Sequence, residues 1–343
     1  MAEVARAAGV HPATVSRALR DDPRITAAVR AEIRAVATRL GYRRNPLVAA
    51  LMSVRRCRAA AGYQATLAFV THYPPSRAAF FKSSFGQLLA GTRLRARISG
   101  YSVEELNLCQ PGLTSARATE ILRNRGITGL IVAPLHSINE PVALDWSHFA
   151  TVAIGHSLHD VPVHRVTHNH FSALALACRQ GRAAGRLRPG LVLPRRVHEK
   201  VERRWVAALL LDQSEHPAAA PVPPFLPIEW DEAGFAAWYR RHRPDPILTV
   251  RPQQVLGALA RLGVRPPATG IVSLDRRPRE RTLAGIEQDY PAMGAAAVDL
   301  LIGYLQRHET GLPARPITVT LEGSWIAGAS LRAQPRRALR TAP

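Results

Sequence analysis

The stretch GVHPATVSRAL, residues 9–19, decides how the first part of the chain is read. Gly9 permits a tight turn, Pro12 suits the first turn of a helix, and Val10, Val15, Ala18 and Leu19 fall on one helical face. Ala13, Ser16, Arg17 and Arg20 gather on another, so one face packs and the other is presented. Upstream, Glu3 to Ala8 reads as a helix buried through Val4, Ala5 and Ala8. Downstream, Thr26 is placed to cap a third helix in which Val29, Ile33, Val36 and Leu40 recur every three or four residues, with Gly41 closing it. Three short helices with a glycine turn between the first two describe a helix-turn-helix unit.

Charge says what such a unit meets. The 343-residue chain carries 46 Lys+Arg against 25 Asp+Glu, a formal net charge of +21. A field of this sign favours a polyanion, nucleic acid ahead of an anionic membrane. Lys82 and Lys200 are the only lysines, so the excess is arginine, a bias that genomic base composition also produces. The first sixty residues hold twelve arginines and four acids, which concentrates +8 of the charge in this block. Cys57, Cys109 and Cys178 are widely spaced with no CxxC, which points away from a disulfide framework and a zinc site and toward a reducing compartment. Glu3 and Arg6 interrupt the start too early for a secretory signal, and no apolar run approaches the ~18 residues of a membrane span. A cytoplasmic protein with no metal, no cofactor and no membrane partner is the expectation.

Beyond the head, RRNPLVAALMSVRR (43–56) offers Asn45 as a cap and Pro46 as a first-turn residue for a short helix between arginine pairs. From residue 62 the texture changes to short apolar runs separated by helical stretches: TLAFVT (66–71), GLIVAPL (129–135), TVAIGHSL (151–158), GLVLP (190–194), PILTV (246–250) and GIVSL (270–274). Strands apolar on both faces and alternating with helices predict parallel sheets, here two doubly wound halves. The proline-rich HPAAAPVPPFLP (216–227) reads as a loop.

With Glu3-Val4-Ala5, Ala8-Gly9-Val10, Thr14-Val15-Ser16-Arg17, Leu19, Leu40-Gly41-Tyr42 and NPLVAALM in place, the chain resembles the LacI/GalR (lactose-repressor) family of bacterial transcription regulators. The resemblance implies a helix-turn-helix domain over 1–44, a hinge helix and linker over 45–61, a periplasmic-binding-protein-like effector and dimerisation domain over 62–332, and a basic tail over 333–343. The effector domain would comprise two subdomains, about 62–161 with 290–316 and about 162–288 with 317–332. It further implies a homodimer on a pseudopalindromic operator in double-stranded DNA. The helix from Pro12 to Leu19 would enter the major groove, where Arg17 can donate two parallel hydrogen bonds to guanine. Pro12 and Ala13 stand where family members vary their base readers, Thr14 and Ser16 suit phosphate, Arg20, Arg24 and Asn45 add to the DNA face, and Leu51 would wedge into the minor groove.

For the effector, Thr71, His72 and Tyr73 leave the first strand at its C-terminal end, and Asp275 follows the strand GIVSL, where the family often has an aspartate that accepts from effector hydroxyls. Arg203 and Arg204 are the candidates for a family arginine that is not cleanly placed. Arg251 stands where the family commonly has a neutral amide. A cation there with Asp275 implies an effector bearing hydroxyl and acidic groups, a sugar acid or sugar phosphate, unless the two residues pair with each other. His168 and His170 in VTHNHF suggest a metal only weakly and are expected to line the cleft or face solvent. The rival reading is a cytoplasmic small-molecule-binding protein or enzyme of α/β fold with an incidental basic head. No Walker loop, GxGxxG, HExxH or nucleophile elbow supports an enzyme.

Overall fold

The computed structural model describes residues 2–19, 24–40 and 65–332, apart from 75, 77, 137, 139, 141, 218 and 219. The head has three helices, α1 (Ala2–Ala7), α2 (Pro12–Ala18) and α3 (Ala27–Arg39). Gly9 makes the turn between the first two at φ +62°, and Val10 N–H donates to the Ala5 carbonyl at 3.0 Å. Val4, Ala5, Val15, Ala18, Ile33 and Val36 bury together as its core. Thr26 caps α3 by accepting from Val29 N–H. Leu40, expected on the packed face, is 42% exposed because α3 ends at Arg39 and releases it. Gly41, the hinge helix with Asn45 and Leu51, the tail from 333, and Arg20 lie outside the described residues.

The body holds two sheets. Its helices are α4 (Ala78–Ile98), α5 (Ser115–Asn124), α6 (His170–Ala183), α7 (Arg195–Lys200), α8 (Arg204–Glu215), α9 (Glu232–His242), α10 (Pro252–Arg261) and α11 (Tyr290–Arg307). The first sheet orders β10 (Thr318–Leu321), β5 (His164–His168), β4 (Ala150–Ile154), β3 (Gly129–Val132), β1 (Ala65–Thr71) and β2 (Tyr101–Asn107), all parallel. The second orders β11 (Ser324–Ile326), β9 (Ala284–Glu287), β8 (Ile271–Ser273), β7 (Ile247–Thr249) and β6 (Gly190–Val192), parallel except for β11 on β9. These are two doubly wound α/β halves. All six apolar runs became strands.

Because β5 and β10 both pair within the first sheet, the crossings into the second half follow His168 and Leu321, not residues near 161 and 316. A third crossing follows β9. Alternation along β1 shows why each sheet is covered twice: Leu67 and Phe69 pack with Leu88 of α4 and Leu301 of α11, while Ala68 and Val70 pack with Leu122 of α5. In the second half, α6 and α8 cover one face through Leu174 and Leu209, and α9 and α10 the other through Phe235 and Leu259.

The α4–α11 contact is close because it has no side chain at two points. A Cβ at Gly294 would lie 2.3 Å from the Leu88 carbonyl oxygen, and one at Gly91 would lie 2.2 Å from that of Pro291. Both obstacles are backbone, so the helices must separate to admit a methyl group. Gly294→Ala is therefore expected to destabilise the body by about 2–3 kcal/mol. Calorimetric melting of wild type and variant checks this, and an unchanged body transition would contradict the packing.

Candidate functional site

A cleft of about 370 Å³ opens between the halves at the C-terminal ends of the strands of both sheets. That is where open α/β sheets place ligands, because the loops leaving the strands converge there. The first half contributes residues following β1 (His72, Tyr73), β3 (Leu135, His136) and β4 (His156, Ser157). The crossing after β5 brings His168 and His170, and α7 and α8 bring Arg196, Lys200 and Trp205. The second sheet adds Arg251 after β7 and Asp275 and Arg277 after β8.

Asp275 and Arg251 share this cleft without bonding to each other. Asp275 Oδ2 accepts from Arg277 at 2.9 Å and from the Tyr290 hydroxyl at 3.1 Å, and Arg277 also donates to Tyr290 Oη at 3.2 Å. The guanidinium carbon of Arg277 sits 4.3 Å from the Tyr290 ring centroid, so charge and ring fix the pair. Burial raises the Asp275 pKa against the opposing pull of Arg277, and burial with the neighbouring Asp275 charge raises that of Tyr290, which keeps its proton. Asp275 Oδ1 has no hydrogen-bond partner among the described residues. Arg251 caps α10 with its backbone bonded to Thr249 Oγ1, and its guanidinium makes no hydrogen bond or ion pair with the described residues.

Of the other sequence candidates, His72 and Tyr73 line the cleft, His72 with Nδ1 3.4 Å from Glu140. Thr71, Arg203 and Arg204 do not. Thr71 is wholly buried inside β1, and the two arginines are exposed, Arg204 turned onto Glu202 at 2.6 Å. The turn that throws them outward is a left-handed pair, Glu202 at φ +52° and Arg203 at φ +61°, which no residue type in the sequence announces. In the head, Pro12, Arg17 and Arg24 are exposed and Thr14 is half-buried. Ala13 and Ser16 lie in α2, their side chains outside the described set.

Sequence reasoning left out the contacts that hold the halves together. Lys200 Nζ donates to the Leu135 carbonyl, Arg196 Nη1 lies 3.2 Å from His136 Nδ1, Glu202 Oε1 approaches His156 Nδ1 to 3.2 Å, and Tyr290 of α11 reaches Asp275. Burial and the Arg196 charge bring the Lys200 pKa down to about 8. Each contact joins groups remote in sequence, so no local pattern signals it.

The deepest wall is three imidazoles and an indole. His168 and His156 approach the His170 ring at 5.3 Å and 6.2 Å between centroids, and Trp205 meets it edge-on at 4.8 Å. Burial lowers the pKa of His156 and His168 to about 4 each and drives that of His170 well down. The groups facing them are Glu202, Arg204 and Arg165 at His156, the Leu321 backbone at His168, and the other two histidines with Arg204 at His170. No group of three or more His, Cys, Asp or Glu among the described residues has the geometry of a metal site.

The described residues thus form a helix-turn-helix head and a two-lobed body of periplasmic-binding-protein-like fold with a cleft at the strand ends. Residues 1–45 match the family model for bacterial regulatory proteins of the lacI family. No curated protein sequence matches the chain. Among solved structures, the transcriptional regulator CelR in complex with cellobiose is 18% identical over 96% of this chain and 98% of its own, with a TM-score of 0.61. The lac repressor dimer bound to operator and the anti-inducer ONPF is 19% identical over 96% and 98%, TM-score 0.57. A periplasmic binding protein/LacI transcriptional regulator from Alkaliphilus metalliredigens QYMF, complexed with D-xylulofuranose, is 16% identical over 77% and 98%, TM-score 0.56. The match to the lacI family of bacterial regulatory proteins covers the head, residues 1–45, and the likeness of the whole chain to these structures is one of fold. No helix among the described residues is long and apolar enough to cross a membrane.

The histidine wall has a measurable consequence. Above their ordinary value of 6.5 the three rings are neutral whether the chain is folded or not. As pH falls from 6.5 toward 4, the unfolded chain binds protons that the folded cleft refuses, so stability drops across that window. Denaturant unfolding at pH 7 and pH 4.5 should show this loss, and His168→Phe should lose roughly 2 kcal/mol less than wild type. Equal losses would contradict the assignment of His168.

Proposed function

We propose that this protein is a cytoplasmic transcription regulator, acting as a repressor, that binds a pseudopalindromic operator as a homodimer and changes its DNA affinity when a small molecule enters the cleft. The observation that carries the DNA half is the head: a lacI-family match over residues 1–45 with Arg17 exposed on the second of three helices. In that frame α2 enters the major groove, Arg17 pairs with guanine O6 and N7, and Pro12 and Ala13 meet thymine methyl groups. Thr14, Ser16, Arg20 and Arg24 hold phosphates, with Asn45 and Leu51 supplying the hinge and its wedge.

The effector half is supported by the cleft's charge and by the cellobiose and D-xylulofuranose bound in structures of the same fold. Among the described residues, Arg196, Lys200, Arg251, Arg277 and Arg279 line the cleft against two carboxylates, Asp275 and Glu280. An effector with an acidic group as well as hydroxyls, a sugar acid or sugar phosphate, meets that balance better than a neutral sugar. Arg251, with an uncommitted guanidinium, is the residue for the acid, and Asp275 Oδ1, His72 and Tyr73 are placed to meet hydroxyls. The ligand acts through its differential affinity for open and closed clefts, since nothing else moves the equilibrium. This reading makes the chain a regulator and not an enzyme.

Sequencing the genomic DNA that the purified protein retains yields the operator. Against that operator, Arg17→Ala is expected to cost about 1–3 kcal/mol and to relax preference at one symmetric pair of positions. Equal binding by wild type and variant would refute the recognition helix.

A further inference from the structure

We infer that His156, His168, His170 and Trp205 form a hydroxyl-recognising wall that sets which effector the cleft accepts. The inference rests on the cleft being the effector site and adds the part of the ligand that these four residues read. Twelve buried side-chain nitrogen and oxygen atoms have no hydrogen-bond partner among the described residues, and seven of them line this one cleft. Six belong to the wall: both ring nitrogens of His156, whose Nδ1 has the Glu202 carboxylate 3.2 Å away but out of hydrogen-bond geometry, both of His168, Nδ1 of His170 and Nε1 of Trp205. The seventh is Asp275 Oδ1. The four side chains are 2–8% exposed, so bulk water does not satisfy them. Folding buries such atoms only at a cost, and their gathering in one cavity marks a surface completed by another molecule.

The chemistry of the wall selects the class. A neutral imidazole offers one donor and one acceptor, and an indole one donor. Vicinal hydroxyl groups both donate and accept, and so match this alternation around a ring. A carboxylate or phosphate only accepts, so it could pair with the donor nitrogens but would leave each imidazole's acceptor nitrogen unmet. The wall therefore takes the polyol face of the ligand while the arginines at the mouth take its acid. The T-shaped packing of His170 on Trp205 and His168 fixes the rings' orientation, so hydroxyl stereochemistry is read and not merely hydroxyl count.

The test is thermal stabilisation of the full chain by D-gluconate, D-glucuronate and 6-phospho-D-gluconate, set against hexanoate, adipate and hexyl phosphate, which carry the acid without hydroxyls. At least one hydroxylated acid is expected to raise Tm, and the hydroxyl-free compounds are not. His168→Phe and His170→Phe, which keep a ring and remove its nitrogens, should weaken that binding at least tenfold. Operator binding by each variant reports that it has folded, and long-range 1H–15N spectra of the wild-type imidazoles should shift on addition of the active acid. Stabilisation by hydroxyl-free acids that Arg251→Asn abolishes would keep the effector site and overturn the wall. Undiminished binding by both histidine variants, or unmoved imidazole nitrogens, would overturn it as well. No stabilisation by either class would overturn the wall and the acidic effector together.

Discussion

A buried polar atom without a partner costs about 1–3 kcal/mol, and this body concentrates such atoms in one place. The cost is tolerable because the two sheets supply the stability: the strands around the cleft are fully buried behind paired helices. The polar atoms sit where those strands end, so the core's rigidity and the cleft's unmet hydrogen bonding come from the same elements. In the proposed reading a ligand meets these atoms, and its differential affinity for open and closed clefts is what the head responds to.

Three crossings join the halves, and they pack against one another. Asn169 donates to Glu322 at 2.6 Å, and a Cβ at Gly323 would lie 2.6 Å from the His168 ring and 2.5 Å from Ile286. The crossings therefore act as one hinge, with His168 at its centre and in the cleft wall at once. The contacts across the cleft mouth, Arg196 with His136 and Lys200 with Leu135, come from α7, next to the left-handed turn at Glu202 and Arg203. Ligand at the wall and closure at the mouth thus bear on a single hinge.

Much of this was legible in the residues. The apolar runs marked six strands because parallel strands are apolar on both faces, and the glycine turn at Gly9 with the cap at Thr26 marked the head. Strand β2 escaped because its edge position leaves Glu104 and Glu105 exposed, breaking the apolar run, and β5, HRVTH, because its histidines are buried for reasons of tertiary context. His72 and Tyr73 follow from their place after a strand, and Arg251 and Asp275 from the family resemblance; all four line the cleft. Lys200, Trp205 and Tyr290 were not, since each enters the cleft from a helix whose placement depends on the whole body. Arg203 and Arg204 lie outside the cleft lining, exposed beyond the left-handed pair at Glu202 and Arg203.

Whether the state of the cleft sets the state of the DNA-binding head can be measured without knowing the ligand. In a chain with Cys57, Cys109 and Cys178 replaced, His136→Cys and Arg196→Cys place thiols on opposite lips, where a short bismaleimide can tie the cleft shut. Operator affinity by fluorescence anisotropy, before and after bridging, is the measurement. A change of at least tenfold, about 1.4 kcal/mol of coupling, is expected. The same affinity in the bridged and unbridged protein would contradict it.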